Sequence, residues 1–351
     1  MKREINFDRW YNDFNRYAGD LYPERYTRDF VKELVETGEE VRSRADEKDS
    51  LIVAHNYQYP ELQEIAEEVG DSLGLSHFVA KDSRPRVDFC GVWFMGETAK
   101  TIVGNDTRVY MPDQPGCSLV ASIDHYKIRR WKEVYPDGVV VSYINTDAKT
   151  KAMSDYICTS RNAAQIVDHA AKSHPGKRML FLPDKHLGAV SLSQSSIDPA
   201  LVDLYDGACH VHAKIGETAL DEAFDRYPGA ELLIHPECGC ASTCIAKIMN
   251  GESQFQKAFY LSTEQMISHA ETSDCKEFIV GTEMGMLYRL RRDIPDKTFY
   301  PVSPEAMCEY MKMNTLDKLA DSLRNDRIEV TIDADVRAKA QKAIDRMLTI
   351  Q

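Results

Sequence analysis

Long apolar runs are missing from this 351-residue chain. No stretch approaches the ~18 continuous apolar residues that a membrane-spanning helix needs. The opening MKREINFDRWYNDFNRY alternates charges with aromatics and lacks the apolar centre of a signal peptide, so a cytoplasmic location is expected. Positive charge is in deficit: 43 Lys and Arg stand against 56 Asp and Glu, a net charge of −13. That balance argues against nucleic acid or an acidic membrane surface as a partner. There is no low-complexity linker, no GxGxxG or GxxxxGK[ST] run, no HExxH and no paired CxxC. With 43% hydrophobic and 28% charged residues, the composition is that of an ordinary globular protein and excludes disorder. Nine cysteines, an odd number in a long chain without an export signal, do not make a disulfide framework. They are either small buried hydrophobes or ligands and reactive thiols.

What the chain does contain is short β-rich runs alternating with helical patterns. LIVAHNY (51–57), VDFCGVWF (87–94), RVYMP (108–112), VVVSYIN (139–145), RMLFLPD (178–184), ELLIHPE (231–237) and EFIVGTE (277–283) read as strands. Their near-continuous apolar character suits strands covered on both faces. PELQEIAEEVGDSL, SRNAAQIVDHAAKSH and TALDEAFDRYPG read as helices between them, with further helices expected over 24–47 and 334–348. Such alternation predicts an α/β protein with parallel sheets and helices on both sides.

A long period runs through the chain. Three of these strands finish on polar residues at alternate positions: His55 and Tyr57, Tyr143 and Asn145, His235 and Glu237. Their starts lie 88 and 92 residues apart. Downstream stand three hydroxyl residues, Ser72, Ser160 and Thr263, the first two at an identical offset of 17. Three cysteines, Cys117, Cys209 and Cys308, follow with spacings of 92 and 99. One polar strand end, one hydroxyl and one cysteine per ~90 residues predict three related α/β units, a longer period than common repeats have. Ligands of open α/β sheets bind outside the carboxyl ends of strands, so three facing units would converge on one pocket. Ser160 and Thr263 open helical patterns, where free N–H groups and a hydroxyl make an anion site without net positive charge.

The stretches AHNYQYPELQEIAEEVGDSL, FCGVWFMGETAKTI, PDQPGCSL, VSYINTDAKTKAMSD, LPDKHLG, IHPEC, FIVGTEMGML and CEYMKMNTLDKL closely resemble quinolinate synthase, the iron–sulfur enzyme of de novo NAD biosynthesis. The likeness runs over about 51–348. It implies three α/β/α three-layer domains in pseudo-threefold arrangement around a central active site. The corresponding division here is 1–118 completed by 304–351, then 119–208, then 209–303. It also implies a [4Fe–4S] cluster on Cys117, Cys209 and Cys308, with one open iron acting as a Lewis acid. The implied reaction condenses iminoaspartate with dihydroxyacetone phosphate to quinolinate, releasing phosphate and water. L-aspartate oxidase or aspartate dehydrogenase would supply the iminoaspartate. By the same resemblance Tyr57, Tyr143, His212, His235 and Glu237 are catalytic, and His55, Ser72, Asn145, Ser160 and Thr263 hold the substrate's carboxylates or phosphate. Glu237 is the candidate general base; at the mouth of an apolar strand beside two histidines, its carboxyl is expected to be tuned toward the working pH. His210 takes no assigned role.

One departure stands out. After HPEC the chain carries GCASTCIAKIMNGESQFQ, which brings Cys238, Cys240 and Cys244 together and makes the register of Thr263 depend on where the insertion is placed. Those three thiols fit plain buried residues, a redox pair or a second metal. Two other function classes compete: a zinc-dependent hydrolase built on His212, His235 and Glu237, and a non-catalytic sensor of a phosphorylated metabolite.

Overall fold

The computed structural model describes residues 4–239, 241, 244, 247 and 257–350. Three four-stranded parallel sheets form the frame. The first holds β1 (Ser50–His55), β2 (Glu68–Gly70), β3 (Arg86–Cys90) and β4 (Arg108–Tyr110). The second holds β5 (Val139–Tyr143), β6 (Tyr156–Cys158), β7 (Met179–Leu182) and β8 (Val202–Leu204). The third holds β9 (Glu231–Ile234), β10 (Ala258–Tyr260), β11 (Glu277–Gly281) and β12 (Thr298–Pro301). Each sheet has one spatial order: second strand, first, third, fourth. The central pairs run in matching register, Leu51 beside Val87, Val139 beside Met179 and Leu232 beside Ile279. Helices flank each sheet, so the chain is an α/β protein of three α/β/α layers, as its alternating pattern requires.

The central strands were legible because they are apolar throughout. Short edge strands were not. The run 60–73, which reads as one helix, breaks into a helix over Pro60–Ile65, strand β2 and a helix over Ser72–Lys81. The cause is pairing with β1: Glu67 N–H donates to Ile52 O (2.9 Å), and the Glu67 carboxylate accepts from Ile52 N–H (2.8 Å). These two bonds, one backbone and one to the Glu67 side chain, lead into the β1–β2 pairing of Val53 with Glu68 and outweigh a helix propensity worth only tenths of a kcal/mol per residue. The run 87–94 likewise ends as a strand at Cys90, and Trp93 begins a helix over Trp93–Ile102. Strands β6, β8, β10 and β12 are also short edge elements that the apolar runs do not announce.

The expected helix over 24–47 is Arg28–Glu47, capped by Thr27, and a further helix over Phe7–Ala18 precedes it. Both serve the first sheet. Trp10 and Phe14 are fully buried, and Phe14 lies 4.9 Å from Tyr26 and 6.0 Å from Tyr288 between ring centroids. Arg9 pairs with the buried Glu64 (2.6 Å). Arg25 (2.6 Å) and Tyr26 (2.9 Å) both donate to the buried Glu61. Without those partners two carboxylates of the helix Pro60–Ile65 would be desolvated and uncompensated. Near the other end, the helix Leu316–Asn325 packs on Arg28–Glu47, whereas Ala343, Ile344 and Met347 of the helix Ala334–Thr349 join the core of the second sheet.

Trp10 therefore anchors the N-terminal helix. Trp10→Ala is expected to cost about 3–5 kcal/mol, the usual range for deleting a buried Trp. A shifted urea midpoint at an unchanged slope would report it, and a shift worth less than about 1 kcal/mol would mean that the helix contributes little.

Candidate active site

The carboxyl ends of β1, β5 and β9 face one another. His55 ends β1, Tyr143 ends β5, and His235 follows β9, its N–H bonded to Gly281 O (2.9 Å). Between them lies one cavity lined by residues of all three strand ends. The candidate catalytic, substrate-binding and cysteine residues all line it: His55, Tyr57, Ser72, Cys117, Tyr143, Asn145, Ser160, Cys209, His212, His235, Glu237, Thr263 and Cys308. Thr263, whose register was the least secure, is among them.

Glu237 occupies the centre and is almost completely buried. Asn145 Nδ2 donates to its Oε1 (3.2 Å), His235 Nδ1 lies 3.2 Å from Oε2, and His212 Nε2 lies 3.6 Å from the same oxygen. Burial pushes this carboxyl up, but hydrogen bonds from His235 and Tyr143 and the two imidazoles outweigh it and hold the group below its ordinary range. The expectation of a carboxyl raised toward the working pH is thus corrected: Glu237 is kept ionised. Its counterpart is Asp184, also buried, whose carboxyl is pushed well above its ordinary range by burial and by Glu237. One member of the pair carries the charge and the other the proton.

The imidazoles are oriented by their second nitrogens. His55 Nδ1 accepts from Tyr57 N–H (3.2 Å), which leaves the proton on Nε2. Cys238 Sγ donates to Gly281 O (3.0 Å) and so accepts from His212 Nδ1 (3.3 Å), leaving the His212 Nε2 lone pair toward Glu237. Burial pushes His55 down to about 3 and His212 down to about 4, so both are neutral at pH 7. Burial raises the Tyr57 and Tyr143 hydroxyls well above their ordinary value, and both stay protonated. Tyr57 Oη and Thr282 Oγ1 share a hydrogen bond of 2.5 Å.

Two of the three hydroxyl residues sit at helix starts. Ser72 and Thr263 are the first residues of the helices Ser72–Lys81 and Thr263–Thr272, capped by Asp71 and Ser262. Ser262 Oγ donates to Asp71 (3.1 Å) and joins the two caps. Ser160 does not open its helix: that helix spans Ala163–Ser173 with Asn162 at its cap, and Ser160 lies in the turn before it.

Each of the three cysteines follows the fourth strand of its sheet and starts a tight turn. Cys117, Cys209 and Cys308 carbonyls accept from Ala121 (2.9 Å), Ala213 (2.8 Å) and Lys312 (3.1 Å), always four residues on. The thiols are free, and backbone amides of their own turns act to lower them. Burial nevertheless pushes Cys117 up to about 11 and Cys308 up to about 12, and raises Cys209 well above its ordinary value. A half-buried thiol trio lining one cavity fits thiolates whose charge a metal centre would compensate.

Several residues of the site escaped sequence reasoning. Glu283 lines the cavity, accepts from Cys308 N–H (3.1 Å) and pairs with the buried Lys312 (3.1 Å), which donates in turn to Tyr57 O. Asp184 faces the Cys209 amide. Both stand two residues after the third strand of their sheet, separated by the same 99 residues as Cys209 and Cys308, a signal that the period offered. Cys238 supports His212 and Cys244 packs in the third sheet's core, while Cys240 lies outside the described residues. His212, His235 and Glu237 bring their ligand atoms within 4.8 Å of one another, the set that a zinc reading would use.

A family model described as "Quinolinate synthetase A protein" matches residues 39–349. Three curated relatives carry the name quinolinate synthase. That of Pyrobaculum aerophilum is 41% identical over 310 residues, covering 88% of this chain and 98% of the relative. That of a Thermus thermophilus strain is 41% identical over 313 residues, covering 89% and 96%. That of a Mycobacterium tuberculosis strain is 40% identical over 312 residues, covering 89% and 88%.

The burial of His55 has a consequence for stability. Unfolded, this imidazole takes a proton below its ordinary value of 6.5; folded, it takes none until about pH 3. The unfolded state therefore binds more protons between those limits, and stability falls as pH falls from 6.5 toward 3. The thermal midpoint of iron-free protein should drop over that window, less steeply in His55→Asn. Equal slopes in the two proteins would contradict the assignment.

Proposed function

The chain belongs to the quinolinate synthase family, a family of enzymes, and on that premise we propose that it condenses iminoaspartate with dihydroxyacetone phosphate to quinolinate, releasing phosphate and water. The observation that carries the reading is the convergence of three thiols, one from each sheet, on the cavity that holds Glu237. Cys117, Cys209 and Cys308 would hold a [4Fe–4S] cluster. When bound, such a cluster with three protein thiolates supplies one open iron as a Lewis acid toward substrate oxygens.

The remaining chemistry is proton traffic by side chains. Glu237, ionised and buried, takes protons from the carbon chain as the ring closes and becomes aromatic. Neutral His212, with its Nε2 lone pair free, accepts a proton or carries it onward. Tyr57 and Tyr143, held protonated, donate to departing oxygen. His55 Nε2–H and Asn145 bind carboxylate or carbonyl oxygens. Ser72, Ser160 and Thr263 offer hydroxyls beside helix starts, where free N–H groups receive phosphate or carboxylate.

The surroundings follow from the same reading. L-aspartate oxidase or aspartate dehydrogenase would supply iminoaspartate. We place the protein in the cytoplasm: the described cysteines form no disulfide, and no described helix is long and apolar enough to cross a membrane. Neither nucleic acid nor a membrane enters as a partner.

Two experiments test the proposal. Anaerobically purified protein should be brown, hold four irons and four sulfides per chain, and release a pyridine dicarboxylate. Cys117→Ser, Cys209→Ser or Cys308→Ser should lose most of the iron and all turnover, while Cys90→Ser and Cys275→Ser keep both; full iron in Cys209→Ser would sink the ligand set. Glu237→Gln should stay brown and bind substrate but lose at least ~10²-fold in turnover, the lower bound for a lost general base. Near-normal turnover in that variant would move the role to another group, with Tyr57 or His212 next.

A further inference from the structure

The residue after each of the three site cysteines is polar: Ser118, His210 and Glu309. Their spacings are those of the cysteines themselves, 92 and 99. In the fold these three side chains meet. Ser118 Oγ lies 2.6 Å from His210 Nδ1, and His210 Nε2 lies 3.0 Å from Glu309 Oε2. The Ser118 oxygen also accepts from the His210 backbone N–H (3.3 Å).

Donor and acceptor roles form one consistent chain. An ionised glutamate only accepts, so His210 Nε2–H donates to Glu309. Nδ1 is then an acceptor and takes the Ser118 hydroxyl proton, while the serine's lone pair takes the backbone N–H. The Tyr310 ring closes the other side, edge-on to the His210 ring at 5.7 Å. Ser118, His210 and Tyr310 line the cavity, whereas Glu309 is 63% exposed at its side chain. The trio therefore stands between the three thiols and solvent. Its order, hydroxyl to imidazole to carboxylate, resembles a hydrolytic triad, but the serine meets Nδ1 and also accepts a backbone N–H, and the chain joins three separate sheets.

We propose that Ser118, His210 and Glu309 form an inter-domain clasp that fixes the three cysteine turns relative to one another and closes the solvent side of the cluster. They are positioning residues and touch no reacting atom. The proposal rests on the cluster reading above and adds what keeps the iron in place. Each turn is anchored in a different sheet, and the tight α-turn after each cysteine orders that loop only locally. The two side-chain hydrogen bonds link the turns directly. Groups that orient metal ligands in this way typically contribute roughly 10–100-fold to metal retention.

The test is the rate at which the anaerobic holoprotein gives up iron to a ferrous chelator. His210→Ala is expected to release iron at least ~10-fold faster than the wild type, the lower end for an orienting partner. Ser118→Ala should act in the same direction. The double variant should be no faster than His210→Ala, because one clasp can be broken only once. A clasp that is partly exposed contributes little to global stability, so the thermal midpoint should stay within about 2 °C. Unchanged iron release in both single variants overturns the clasp while leaving the cluster reading intact. Rates that multiply in the double variant overturn it as well, since the two residues would then act independently. Iron-free wild-type protein overturns the cluster reading and the clasp together.

Discussion

The site depends on one electrostatic constraint: an ionised carboxylate, Glu237, sits where the ends of three apolar sheets meet, away from bulk water. A charge there is tolerable only if every neighbouring polar group is arranged around it. Asn145 comes from the second sheet, His235 from the strand that carries Glu237, and His212 from the turn after Cys209. Tyr143, the last residue of β5 in the second sheet, lines the same cavity. The charge is thus surrounded by polar groups, several of which the linear sequence keeps far apart, with Asn145 of the second sheet donating to it directly. Folding of the parts and assembly of the site are therefore the same event, which suits a scaffold of parallel sheets whose ligand edge is always the carboxyl end.

The same burial decides which groups move protons. His55 and His212 are neutral because the cavity desolvates them, and their tautomers are set from behind, by the Tyr57 amide and by Cys238. Asp184 carries its proton because Glu237 has surrendered one nearby. Burial also raises all three thiols, so a centre that takes them as thiolates must offset that cost with its own charge. Acid, base and ligand roles come from environment rather than residue type.

Much of this was legible in the sequence, and the reasons are physical. Central strands buried on both faces must be continuously apolar, so β1, β5, β7, β9 and β11 announce themselves. Polar residues at their ends break that run, which made His55, Tyr143 and His235 visible. Edge strands of three residues carry no such run: β2 lies inside a sequence of good helix formers and exists only because Ile52 offers it a partner. Asp184, Glu283 and Lys312 were hidden for another reason. Asp, Glu and Lys ordinarily read as surface residues, and nothing local says that Lys312 is buried against Glu283 and the Tyr57 carbonyl. Cys238 looked like one thiol of an insertion trio, and only the fold turns it into the support of His212.

The three sheets repeat backbone geometry far more faithfully than chemistry. Strand order, central register and the four-residue turn after each cysteine are equivalent in all three. The side chains on that common frame are not. The strand ends present His and Tyr, then Tyr and Asn, then His and Glu. Two residues past the third strand stand Val92, Asp184 and Glu283; just past the cysteines stand Ser118, His210 and Glu309. Only the cysteine itself is the same in every unit. A symmetric metal centre needs three like donors at like positions, and a repeated turn supplies them. An asymmetric substrate needs unlike groups around it, and the variable positions beside each turn and strand end supply those. Under the proposed function, a threefold backbone with one invariant and several variable positions per unit would satisfy both demands, with the period strongest at the cysteines and fading at the residues proposed for proton chemistry.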